Sequence, residues 1–161
     1  MKTYLPILLA AGLLTACSSV YVPKLVPVEV RPVPSKTTTV KPSTGLAASH
    51  WSDVAKIRDE ANRLSWEVSQ GRMTKVQAAQ MLDRHRIKVV GRNAVDDSMY
   101  SVYLRSAADS QSGKITTQQS KQFIQSALSG WQQRWPNMSN KPANPAFTNF
   151  LMEVMGMKPL M

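Results

Sequence analysis

An all-α fold is predicted for residues 50–161: a small bundle of about five helices, built from two tandem helix–turn–helix units behind a disordered, Pro-rich tether. Three observations predict it. Apolar residues recur at spacings of three and four through this region, the period of a helix with one buried face. The stretch Gly71-Arg72-Met73-Thr74-Lys75-Val76-Gln77 returns 42 residues later as Gly113-Lys114-Ile115-Thr116-Thr117-Gln118-Gln119, and the match runs on through Gln80/Gln122, Met81/Phe123 and Leu82/Ile124. Half of the ten prolines fall between residues 18 and 48, and proline, with fixed φ and no N–H, excludes helix there.

The helices follow in order. Trp51, Val54, Ile57, Ala61, Leu64 and Val68 make the stripe of the first, with Asp59 and Arg63 an i,i+4 ion pair on its other side and Gly71 its end. Thr74 and Gln77 form a capping box for the second, with Met73 and Ala78 at the staple positions. It turns Ala78, Met81, Leu82 and His85 inward and runs to about Arg86; Ile87 to Gly91 reads either as a last turn or as a short strand. Asp96 and Asp97 open the third, where negative charge suits a helix amino terminus. Its stripe is Met99, Val102, Tyr103, Ser106 and Ala107, and Gly113 ends it. Thr116 and Gln119 form a second capping box, ahead of Phe123, Ile124, Ala127, Leu128, Trp131 and Trp135, and Pro136 stops this fourth helix. After a loop, Asn144 is placed to cap a fifth with Pro145 at its first position. Phe147, Phe150, Leu151 and Val154 give it an inward face, and Gly156 and Pro159 end it.

The region ahead of residue 50 has a different chemistry. Lys2 precedes an uncharged apolar run from Leu5 to Leu14, about half the ~20 residues a membrane-spanning helix needs. This is the pattern of a cleaved secretory signal. The run ends in Leu14-Thr15-Ala16-Cys17, which holds the only cysteine. An aliphatic residue, two small residues and a cysteine resemble, position by position, the lipobox of bacterial lipoproteins. The plainer readings are an ordinary signal peptide or a buried free thiol. The resemblance covers residues 1–19. It implies a diacylglyceryl thioether on Cys17, cleavage before it, and acylation of the new amino group, as by palmitate. Two or three chains anchor durably where one binds only reversibly. Ser18 and Ser19 follow the Cys; in enterobacteria-like lipoproteins an Asp at the second mature position retains the protein in the inner membrane, and Ser18 stands there instead, which implies the outer membrane and a periplasm-facing domain. The expected organisation is therefore a signal peptide at 1–16, a lipidated Cys and linker at 17–49, and a helical domain at 50–161.

In the linker, Val26 to Pro34 favours an extended polyproline-like chain, and Ser35 to Ser49 has a flexible composition. Some thirty residues would span ~90–100 Å extended and ~30 Å as a coil. Leu25 to Val33 alternates in a way that would also suit addition to a partner's sheet edge, although a spacer is the simpler reading.

The formal charge is +10 and falls to +9 without Lys2. A basic balance points to anionic partners: lipid phosphates, peptidoglycan carboxylates or an acidic envelope protein. An exported address argues against nucleic acid. The densest basic cluster is Arg84, His85, Arg86, Lys88 and Arg92, a candidate anion- or lipid-facing patch through its four cations or else a solvated helix end that complements the macrodipole.

Chemistry-bearing constellations are thin. His50 and His85 lie on different elements without metal-ligand spacing. Glu60 and Glu67 share a helix face, but the other motifs of helical peptidoglycan-cleaving enzymes are missing, and solvated charges are the better reading. The Gly-x-aliphatic-Thr-x-x-Gln pattern resembles the second half of an EF-hand loop. Its ligand positions fall on Trp66, Val68, Gln70 and Gln77, and on Ala108, Ser110, Ser112 and Gln119, so no Ca²⁺ is implied. The same residues resemble the Leu-Thr-x-x-Gln motif of small periplasmic stress chaperones. Trp51, Trp66, Trp131 and Trp135 suit core packing more than a groove, and Met152, Met155, Met157 and Met161 suit packing of the last helix more than an adaptable docking face. The expectation is a non-enzymatic lipoprotein with no metal and no cofactor beyond the lipid. A membrane and an unidentified envelope protein are its partners; a chaperone is the alternative, and a peptidoglycan-active enzyme a distant third.

Overall fold

The computed structural model describes residues 45–161. Cys17, the signal segment and the linker through residue 44 lie outside the described residues. The described chain is all-helical: α1 (His50–Ser69), α2 (Lys75–Val90), α3 (Ala94–Gln111), α4 (Thr117–Arg134) and α5 (Ala146–Val154), with one turn of 3-10 helix at Trp135–Asn137 after α4. The helix pairs α1–α2 and α3–α4 are the two helix–turn–helix units. α2 packs on both α1 and α3, and α5 lies against α1, α3 and α4.

The two tight turns are built from the same hydrogen bonds, 42 residues apart. In the first, Gly71 N–H reaches Val68 O and Arg72 N–H reaches Glu67 O; in the second, Gly113 reaches Ser110 and Lys114 reaches Asp109. These bonds satisfy the last carbonyls of α1 and α3. They require a left-handed residue, supplied by Gly71 at φ 68° and Gly113 at φ 75°. Three residues later a capping box starts the next helix: the Thr74 hydroxyl accepts from Gln77 N–H and the Gln77 amide accepts from Thr74 N–H, with Thr116 and Gln119 repeating both. The expected boxes are therefore present and do structural work.

The core gathers Val54, Ile57 and Leu64 of α1, Leu82 of α2, Met99 of α3, Ile124 and Leu128 of α4, and most of α5. Of the two readings of Ile87 to Gly91, the last turn is the one found: α2 runs to Val90 and is closed by Gly91 at φ 76°. Other expectations are corrected. Arg63 pairs with Glu60 at 2.6 Å, not with Asp59. Trp51 and Phe123 are exposed instead of completing their stripes, and Val154, expected inward, is 59% exposed.

α5 differs most from its expected form. Every residue from Ala146 to Met152 is buried, polar Thr148 and Asn149 included. Asn144 does not cap it; its side chain instead joins His50 Nδ1 (2.7 Å) to Asp53 Oδ2 (2.9 Å). The cap arrives from another helix. Asp96, 0% exposed in the first turn of α3, accepts from Phe147 N–H (3.3 Å), Thr148 N–H (2.9 Å) and the Thr148 hydroxyl (2.7 Å). Asn93, the cap of α3, donates at 3.0 Å to Oδ2, the oxygen that also accepts from Phe147. Two helix amino termini thus converge on one carboxylate. Burial pushes the Asp96 pKa up, and the donors from Asn93, Thr148 and Phe147 pull against it. Donors reach both oxygens, Thr148 at Oδ1 and Phe147 and Asn93 at Oδ2.

Candidate functional site

The basic cluster around the end of α2 divides in two. Arg84 and Lys88 lie one helical turn apart and exposed, and exposed Arg92 follows just past the helix end. Arg86 is corrected from the surface patch to the core: it is 0% exposed. Its Nε donates to Asp83 at 2.6 Å and one terminal nitrogen to Asp97 at 2.5 Å. Its guanidinium lies 5.3 Å from the Tyr100 ring centre and 5.7 Å from that of Phe147, so aromatic faces replace part of the lost hydration. The other terminal nitrogen is buried with no hydrogen-bond partner among the described residues. Arg86 is therefore a structural ion sandwiched between α2, α3 and α5. Arg92 approaches the same Asp97 at 3.7 Å. Asp83 and Asp97 thus offset part of the positive charge, leaving Arg84, Lys88 and Arg92 as the solvent-facing cations of this end.

Glu60 and Glu67 are both committed to arginines. Arg63 holds Glu60 through two bonds of 2.6 and 2.8 Å, and Arg72 holds Glu67 at 2.7 Å. Those hydrogen bonds keep both carboxyls below their ordinary value of 4.5, the opposite of what a general acid needs. His50 sits in a closed network: its Nδ1 donates to Asn144, and its Nε2 accepts from Asn149, which also pins Leu160 through two backbone bonds of 2.8 and 3.0 Å. His85 Nε2 is buried without a hydrogen-bond partner among the described residues, and His85 bears electrostatically on Glu60. Among the described residues no group of three His, Cys, Asp or Glu side chains is placed to hold a metal.

An open feature lies on the second unit. Val102, Arg105, Ser106 and Asp109 of α3, Ile115 of the turn, and Phe123 and Ala127 of α4 line a mainly apolar groove of about 480 Å³. Phe123 stands on its wall 55% exposed. Arg105 and Lys114 both approach Asp109 at 3.7 Å and are largely in solvent, so the rim carries two cations to one carboxylate. Sequence reading assigned Phe123 to the core because its neighbours Ile124 and Leu128 share the stripe. The signal that bears on it is the repeat itself: Phe123 aligns with Met81, and its groove partners Val102 and Ala127 align with the polar Glu60 and His85.

No helix among the described residues is long and apolar enough to cross a membrane. Compared with known proteins, the chain matches no family, no curated protein and no solved structure.

Proposed function

We propose that this protein is an outer-membrane-anchored lipoprotein whose basic helical domain binds another component of the cell envelope, as an adaptor in a secretion, conjugation or cell-wall assembly. The observation that carries the reading is Leu14-Thr15-Ala16-Cys17 at the end of an uncharged apolar run, followed by a Pro-rich stretch and then a helical body. A lipid on Cys17 supplies the membrane attachment. The exposed cations Arg84, Lys88 and Arg92 supply a surface for anionic groups. The Thr-x-x-Gln motifs favour no chaperone role, since both are spent on capping boxes. Glu60 and Glu67, paired and held ionised, lend nothing to acid catalysis.

The anchor is tested by metabolic labelling with a radioactive or clickable palmitate, together with intact mass. The wild-type chain should take label and lose residues 1–16, and Cys17→Ser should do neither. Normal maturation of the serine variant would sink the anchor. The adaptor role is tested by photo-crosslinking in the native host from several surface positions. One dominant envelope protein supports it, whereas a broad set of unfolded clients points to a chaperone.

A further inference from the structure

The adaptor reading leaves the partner's chemistry open, and the groove on the second unit narrows it. Position by position, the two units present different outer faces. On the first, the layer is Glu60, Arg63, Met73, Met81 and His85, with Glu60 and Arg63 closing an ion pair across it. On the second, 42 residues on, it is Val102, Arg105, Ile115, Phe123 and Ala127. The same shelf thus carries an ion pair and a histidine on one unit and is apolar and open on the other. An aromatic ring left half in water on a concave wall gains by being covered.

Charge selects the occupant. Arg105 and Lys114 flank the groove with only Asp109 between them, and both contacts are long, at 3.7 Å. A second copy would bring two positive rims together, each on a chain of charge +10. A concave groove of this size accommodates a row of side chains, not the flat face of a bilayer. From these observations we infer that the Val102–Phe123 groove docks an amphipathic segment of an acidic partner protein, with a large apolar side chain against Phe123 and flanking carboxylates on Arg105 and Lys114. The inference rests on the adaptor reading and specifies which face of the domain performs it.

The test places a photo-crosslinking phenylalanine in the full-length chain at position 123, and in separate chains at Met81, Trp51 and Arg84, in the native host. Circular dichroism and thermal melting check that each chain folds; all four positions are at least partly exposed, so folding is expected to survive. The adduct from position 123 should map by mass spectrometry to a segment with a large apolar residue flanked by Asp or Glu, in a protein other than this one. Charge reversal by Arg105→Glu with Lys114→Glu should cut its yield about tenfold. Several outcomes overturn the inference: a second copy of this chain, a lipid adduct, a ladder of unrelated clients, an adduct indifferent to charge reversal, or no adduct at position 123. Capture at Trp51 or Arg84 but not at 123 would overturn the groove alone and leave the adaptor reading standing. Capture from no position would remove both.

Discussion

The two helix–turn–helix units share their turns and differ in where they keep their apolar residues. Ile57 and Met99, and Leu82 and Ile124, are equivalent pairs and are buried in both. Between the helices, however, the first unit packs Leu64 against α2 near Ala78, whereas the second has Ser106 and Ser120 bonded to each other at 2.7 Å. On the outside the order reverses: Glu60 and His85 in the first, Val102 and Ala127 in the second. The second unit has moved apolar chemistry outward and polar chemistry inward. Two further exchanges in the core run in opposite directions. Val54, a core residue of α1, aligns with the buried cap Asp96, and buried Arg86 aligns with the core residue Leu128. The repeated scaffold therefore holds a charged group at a core position where a neighbouring helix supplies partners.

Giving one unit the other's residue tests how each exchange is accommodated. Asp96→Val, which copies Val54, should have the largest effect. It strands two backbone N–H groups and a hydroxyl at the start of buried α5, for a loss of about 3–5 kcal/mol in urea unfolding. If Asp96→Val melts like the wild type, the cap supplied across helices is not structural. Arg86→Leu, which copies Leu128, should lose less, about 1–2 kcal/mol, because Asp83 and Asp97 retain access to water once their arginine is gone. Ser106→Ala removes the hydroxyl pair and leaves Ser120 half-buried, a loss of about 1 kcal/mol.

Glu60→Val copies Val102 and sharpens the electrostatic side. The Arg63 hydrogen bonds hold Glu60 below its ordinary 4.5 in the folded chain, so the stability it contributes is present above that pH and drains away as pH falls through the lower folded value. The variant should show a shallower loss of stability below about pH 4.5, with neutral stability changed by no more than about 1 kcal/mol for so accessible a pair. Urea midpoints measured from pH 3 upward (about pH 3 to 7) would read it; an unchanged slope would remove Glu60 from the acid response. The smallest effect is expected from Phe123→Met, which copies Met81. At a half-exposed position its stability should stay within about 0.5 kcal/mol, so any loss of partner capture belongs to the groove and not to the fold.

The helical class, the two units and their turns are local properties of the amino-acid sequence. Glycine is needed where φ is positive, and a threonine three residues before a glutamine closes a capping box, so Gly71, Thr74 and Gln77 carry their local structure with them and their copies at Gly113, Thr116 and Gln119 do the same. The stripes at Ile57, Leu64, Leu82, Ile124 and Leu128 were legible for the same local reason. Arg86 was half-legible: it continues the Ala78–Leu82 row by one turn and aligns with Leu128, but its charge argued for solvent. It is the packing of α3 and α5 that gathers Asp97, Tyr100 and Phe147 round it, beside Asp83 of its own helix. That packing alone also sets the cap of α5, because Asp96 and Thr148 lie 52 residues apart and no local pattern joins them. The openness of the Phe123 groove belongs to the same class. A stripe states which residues prefer to leave water, but whether a neighbour arrives to cover them depends on where α5 packs, and α5 covers α1, α3 and α4 from a side that leaves Phe123 exposed.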